Sequence, residues 1–170
     1  MSTNTKHLLE ILKQEEYNKV AFPERQQPIQ KLIRNISQWP EIEIHGHTYG
    51  GTEFRLFNKS IGHIHSNGML DLPFVKTLRK ALLDKDLVQL HHVHSSINWV
   101  SYSIQTNQDL EKAELLLLVS YCVKGVDYFD KFHQSCRFVQ VNLFDSPLAA
   151  TIFGDEIFNM IPNFHRNESA

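Results

Sequence analysis

The apolar residues of this chain recur with two different periods, and the change from one to the other constrains the fold most strongly. In residues 8–39 they recur every three to four positions, which is typical of helices that pack by one face. Pro40 ends this pattern, and from residue 41 apolar and polar residues alternate as they do in half-buried strands. The sequence therefore predicts helices first and a sheet after them.

Turn and capping residues divide these regions into elements. Pro28 is typical of the first turn of a second helix, which we expect to reach Trp39. Asp71 is a suitable N-cap for a helix ending near Asp84, and Asn107 for a long apolar helix ending at Gly125. A turn at Asn58-Lys59 would close a hairpin. Strand patterns cover residues 41–45, 53–57, 60–65, 87–93, 99–105 and 138–144.

Together these elements predict an α+β fold with a mainly antiparallel sheet and packed helices. We expect N-terminal helices in residues 1–40, a core α+β region in residues 41–125, and a C-terminal extension in residues 126–170 that packs on the same domain. The length suits one domain, because about 150 residues bury roughly 68–70% of the unfolded surface.

Composition argues against several classes of protein. The net charge of −2 offers no large positive field, so nucleic-acid binding is not favoured. The longest apolar run, Leu115–Val119, is far too short to span a bilayer. The N-terminus lacks an apolar signal-peptide core, and the two cysteines are widely spaced, so we expect a soluble cytoplasmic protein with reduced thiols and no membrane partner.

Histidines concentrate in the segment 55–99. His63 and His65 are two residues apart on a predicted strand and therefore share one face. If His92 and His94 lie on a neighbouring strand, four imidazoles converge, and zinc or iron would take three or four such ligands with Asp71 or Glu53 completing the set. The same residues could instead bind a small molecule, transfer protons, or cap backbone carbonyls without any ligand.

Two other residues are candidates for ligand binding. Arg55 could pair with an anionic ligand, or it could bridge Glu53 or Asp71 on the surface. Trp99 could anchor the core or form a stacking platform. The histidine pair His45 and His47 lies in a glycine-rich loop region, where we expect both side chains to be solvated.

A set of short motifs in this order resembles the small proteins of the luciferase family, or luciferase domain. The motifs are Gly50-Gly51-Thr52-Glu53-Phe54-Arg55, Ile61-Gly62-His63-Ile64-His65, Leu70-Asp71-Leu72-Pro73, His91-His92-Val93-His94, Asn98-Trp99-Val100-Ser101 and Ser120-Tyr121. The likeness covers roughly residues 45–124, and the family name implies no activity here. A fainter likeness to YjbR-like proteins implies a compact α+β fold with an antiparallel sheet.

The first functional hypothesis is a domain that binds a small molecule or a protein partner in a His-lined cleft. The site would comprise Arg55, His63, His65, Asp71, His92, His94 and Trp99. The second is a metal-dependent hydrolase or oxygenase that uses His63, His65, His92 and His94. The third is an interaction module formed by the aromatic C-terminal tail. A homo-oligomer is among the expected partners.

Overall fold

Two helices open the chain, α1 (Thr3–Ala21) and α2 (Pro23–Ile36). In this computed structural model the described residues are 3–162, except 49, 92–97, 127 and 129–136. Pro23, not Pro28, occupies the first turn of α2, because the non-helical backbone of Phe22 separates the two helices there. Pro28 lies inside α2, on the buried face of the helix, and α2 ends before Trp39.

Within the described residues, six strands form one antiparallel sheet in the order β1-β2-β3-β4-β6-β5. The strands are β1 (Ile42–Gly46), β2 (Thr52–Leu56), β3 (Lys59–Ile64), β4 (Met69–Pro73), β5 (Gln89–Leu90) and β6 (Trp99–Ser103). The α+β class and the antiparallel sheet are therefore confirmed. β1 is an edge strand with exposed residues, so the expectation that it is half-buried is wrong for Ile44.

Asp71 does not cap a helix, as the sequence pattern suggested. It lies in the middle of β4, and helix α3 (Lys76–Asp84) begins only after Val75. Leu70 and Leu72 on either side of Asp71 are fully buried, and β4 pairs with β3 and β6 on its two edges. The error arose because an acid shortly before a proline is typical of a helix N-terminus, and Asp71 and Pro73 have this spacing although both lie in a strand.

The hairpin between β2 and β3 closes one residue earlier than predicted. Phe57 and Asn58 form its turn, with φ of 49° and 62°. Positive φ at both central residues is typical of the tight turn whose twist matches that of antiparallel strands. The register shifts by one residue between Phe54 and Arg55, because Ile61 is an extra residue on β3.

Helix α4 (Leu110–Gly125) covers the apolar face of the sheet. Thr106, rather than Asn107, provides the cap, since its side chain accepts a hydrogen bond from Gln108 N at the start of a 3₁₀ turn (Asn107–Asp109). α4 packs closely on β3: a Cβ atom built on Gly62 would lie 3.1 Å from Leu117 Cδ2. The same Cβ would lie 2.9 Å from the backbone oxygen of Asp71, so Gly62 permits the close approach of both β4 and α4.

Residues 137–144 and 147–160 are helical, so the prediction of a strand over residues 138–144 is wrong. Residues 140–144 form a π-helical turn, and α5 (Pro147–Met160) follows with a kink at Gly154. Val139 and Leu143 are fully buried, whereas Val141 is exposed. Their four-residue spacing fits a helix, although the same residues also alternate as in a strand.

None of the helices in the described residues has both the length and the apolarity needed to cross a membrane.

Candidate functional site

One row of polar residues crosses the whole sheet. Each member is paired directly with the next across neighbouring strands, and directly paired residues in an antiparallel sheet point to the same face. The row consists of His45, Glu53, His63, Asp71, Ser101 and Gln89. Because α4 covers the apolar face, these side chains lie on the opposite face.

Asp71 is the centre of this row, and its side chain is 0% exposed. Its Oδ1 accepts a hydrogen bond from Ser101 Oγ at 2.5 Å. Its Oδ2 lies 3.3 Å from His63 Nε2, 3.2 Å from His65 Nε2 and 3.6 Å from His91 Nε2. One buried carboxylate therefore holds three imidazole rings around it.

These contacts explain how a charge can be buried at Asp71. Burial alone raises the pKa of a carboxyl group, since it disfavours the ionised form. Here hydrogen bonds from His63, His65 and Ser101 outweigh burial and hold the pKa of Asp71 well below its usual range. Asp71 is therefore a stable acceptor for the imidazole N–H groups.

His47 joins the cluster from the loop that follows β1, where we expected a solvated side chain. Its ring stacks on His63 with a centroid distance of 3.8 Å and packs edge-on against His65 at 5.7 Å. Burial lowers the pKa of His47, and the neighbouring His63 and His65 lower it further. Only the pairing of β1 with β2 brings His47 to the site, so local sequence carried no signal for it.

Three of the imidazoles are close enough to share one ion. A ring nitrogen of each of His47, His63 and His65 lies within 4.8 Å of the other two. His63 Nδ1 is buried and has no hydrogen-bond partner among the described residues. Since His63 Nε2 faces Asp71, the tautomer protonated at Nε2 leaves the Nδ1 lone pair available to a ligand.

Arg55 lies beside this cluster and does not contact Asp71. Its Nε donates to Glu53 Oε2 at 2.8 Å and its Nη2 lies 2.7 Å from the same oxygen. Burial raises the pKa of Glu53, but the hydrogen bond and charge of Arg55 and the charge of His47 lower it below its usual value. Arg55 therefore forms the Glu53 bridge that was one of its two predicted roles, with 39% of its side chain exposed.

Trp99 packs near two of the histidines, His63 and His91. Its ring centroid is 5.1 Å from that of His63 and 6.3 Å from that of His91. The structure thus brings His63, His65, Asp71 and Trp99 together, and it adds His47 and His91. His92 and His94 lie outside the described residues, so the convergence of these two imidazoles with His63 and His65 stays a prediction.

This arrangement suits two kinds of chemistry. A carboxylate that fixes the N–H of an imidazole prepares the other ring nitrogen to bind a metal ion, and such carboxylates commonly support metal sites. The same pair can hold a histidine in the orientation needed for proton transfer. Both roles use the nitrogen that faces away from Asp71.

Residues 58–120 match the family model described as Luciferase domain. The matched segment is less than half of the chain and includes His63, His65, Asp71, His91 and Trp99, whereas His47, Glu53 and Arg55 precede it. No curated protein and no solved structure matches the chain, and the fainter likeness to YjbR-like proteins stays a prediction. The resemblance to the Luciferase domain family that the sequence motifs predict is confirmed over residues 58–120.

Proposed function

We propose that this protein binds a divalent transition metal ion, zinc or iron, through His47, His63 and His65. The observation that carries the proposal is the grouping of these three ring nitrogens in front of the buried Asp71 carboxylate. This ligand set replaces His92 and His94 of the sequence hypothesis with His47. Imidazole nitrogen is a ligand that both zinc and iron accept.

The distances are consistent with a site that tightens around an ion. Metal–nitrogen bonds of about 2.0–2.1 Å place tetrahedral ligand atoms about 3.3 Å apart, so the nitrogens need to approach one another by no more than roughly 1.5 Å. The His47 ring, which is stacked nearly parallel on His63, must also rotate so that its in-plane lone pair points to the ion. His63 and His65 are already oriented by Asp71, and His47 follows a strand end. We expect most of this movement in His47.

Three protein ligands leave a further coordination position for water or a small molecule. A metal ion in such a site supplies a Lewis acid and lowers the pKa of a bound water. The residues beside this position would be Trp99, which offers a flat apolar ring, and the Glu53–Arg55 pair, which offers a fixed polar edge. We therefore propose that a small-molecule ligand binds against Trp99.

The test is metal binding by untagged protein. Elemental analysis and titration with Co²⁺, whose absorption reports tetrahedral coordination, should give about one ion per chain. His47→Ala and His63→Ala should each lose the cobalt signal. His45→Ala is the matched control, because His45 lies two residues from His47 but pairs with Glu43 in solvent.

Fewer than about 0.1 ion per chain, with no cobalt spectrum, would overturn the metal proposal. So would an equal loss of binding in the His45→Ala control.

A second candidate function is metal-free proton transfer by His63, supported by Asp71. The favouring observation is the His63 Nε2 to Asp71 Oδ2 contact with His63 Nδ1 left available. Long-range ¹H–¹⁵N spectra of the metal-free protein should show neutral His63 protonated at Nε2. A neutral ring protonated at Nδ1 would refute both candidate functions, since that nitrogen must be free in each.

A further inference from the structure

β1 has one exposed edge within the described part of the chain. β1 is the terminal strand of the sheet, and no strand of the described chain pairs with its outer side. Four consecutive residues, Glu43 to Gly46, are exposed, and Ile44 is 41% exposed. An edge strand of this kind presents unpaired backbone groups together with an apolar side chain, which makes it a template for another strand.

The hydrogen bonds of the hairpin show which backbone groups face outward. His47 N donates to Gly51 O, so His47 and Gly51 form a hydrogen-bonded pair. The pairing of His45 with Glu53 continues the same register. Because bonding alternates along an antiparallel ladder, His45 and Glu43 also bond to β2. The N–H and C=O of Ile44 and Gly46 are therefore directed away from β2, toward the open edge.

We infer that β1 pairs antiparallel with β1 of a second copy of this chain, with Ile44 opposite Ile44 of that copy. In this register Glu43 lies opposite His45 of the second copy, and Ile42 lies opposite Gly46. The outward N–H and C=O of the two Ile44 residues bond to each other. The partner is thus an identical chain, and the surface is self-complementary.

Charge and shape both favour this register. It places each Glu43 carboxylate opposite a His45 imidazole of the other copy, which adds a second polar contact to the Glu43–His45 contact within each chain, and such cross-strand pairs are stabilising. Centring the axis on Glu43 would oppose two carboxylates, and centring it on His45 would oppose two imidazoles. A Cβ built on Gly46 meets no atom within 4 Å, so there is space for the Ile42 side chain of the second copy.

The dimer joins two sheets into one, with both polar faces on the same side, because the axis runs perpendicular to the sheet. The loop that carries His47 follows β1 directly, so the interface lies next to the candidate site. The inference does not depend on metal binding, since it uses only the edge of β1.

The test is the mass of the full-length protein by light scattering and sedimentation. A single short strand pair is a small interface, so the fraction of dimer should rise with protein concentration. Ile44→Lys should leave a monomer. Leu90→Lys is the matched control, because Leu90 is a similarly exposed apolar residue on the opposite edge strand, β5.

A charge exchange tests the register itself. His45→Glu alone opposes two carboxylates and should weaken association about tenfold or more, and Glu43→His alone should weaken it as well. The double variant Glu43→His/His45→Glu restores both opposite pairs and should restore association. Circular dichroism confirms that each variant is folded.

Three results would overturn the inference: a monomer throughout the concentration range, a dimer unaffected by Ile44→Lys, or a double variant as weak as the singles. A dimer lost instead on Leu12→Lys would place the interface on the exposed face of α1 and would also overturn it.

Discussion

Replacing Asp71 with Asn tests whether this carboxylate holds the histidine cluster together. The two side chains have nearly the same shape, so packing against β3 and β6 is retained. Asn Oδ1 can still accept the hydrogen bond from Ser101. The amide nitrogen, however, is a donor at the position of Oδ2, where it meets the ring nitrogens of His63 and His65 at 3.3 and 3.2 Å.

The expected cost follows from these contacts. Hydrogen bonds to a charged group contribute about 1.5–3 kcal/mol each, and two are lost. Part of this loss is recovered if the imidazoles change tautomer and accept from the amide. We therefore expect the free energy of unfolding to fall by about 3 kcal/mol, within the range for breaking a buried charged pair. The melting temperature should fall by roughly 6–12 °C for a domain of this size.

Urea denaturation followed by circular dichroism measures this change, and Asp84→Asn is the control. Asp84 forms an exposed ion pair with Lys80, so its replacement should change the free energy of unfolding by no more than about 0.5 kcal/mol. Asp71→Asn should also weaken Co²⁺ binding about 10–100-fold, as loss of an orienting carboxylate does. A variant as stable as the wild type, with unchanged cobalt affinity, would refute the supporting role of Asp71.

Three further predictions concern pH, backbone geometry and fluorescence. Because folding lowers the pKa of His47 below 6.5 and that of Asp71 below 3.8, each group's contribution to stability is present above those values. The His47 contribution is lost as pH falls below 6.5, whereas the Asp71 contribution starts to be lost only below 3.8, so urea midpoints should fall between pH 6.5 and pH 4 and fall again below pH 3.8. Midpoints that stay flat from pH 8 to pH 4 would contradict the His47 shift, and midpoints that stay flat below pH 3.8 would contradict the Asp71 shift. Gly68→Ala should destabilise the fold by about 2 kcal/mol in urea, since Gly68 has φ of 84° and a Cβ there would lie 2.2 Å from a carbonyl oxygen. In a Trp39→Phe background, Co²⁺ should quench the fluorescence of Trp99, whose ring is 5.1 Å from the nearest imidazole, and unchanged emission at saturation would count against metal binding there.

Much of the fold followed from periodicity, and the errors occurred where two patterns coincide. Ile29, Leu32 and Ile36 recur at helical spacing and are buried on α2, as expected. Val139 and Leu143 fit both a helix and a strand, and the helix places both in the core. Such ambiguity cannot be resolved locally, because burial depends on what packs against the segment.

The candidate site was only partly predictable for a related reason. His63 and His65 share a face because of their two-residue spacing, which sequence reasoning can use. The contribution of His47 depends on which strands are neighbours, and that depends on pairing across the whole sheet. Asp71 was recognised as a candidate ligand but not as the buried centre, since its flanking leucines and proline also fit the start of a helix.

The polar row and the residues around it divide the proposed site into a fixed part and a variable part. The inner members of the row, Glu53, His63, Asp71 and Ser101, are held by strand pairing on both sides, so they form a rigid floor. His47 and His91 lie just beyond strand ends, where changes of length and sequence are tolerated most easily. We therefore expect substitutions in the rim to change what the proposed site binds, while the carboxylate that orients the floor stays in place.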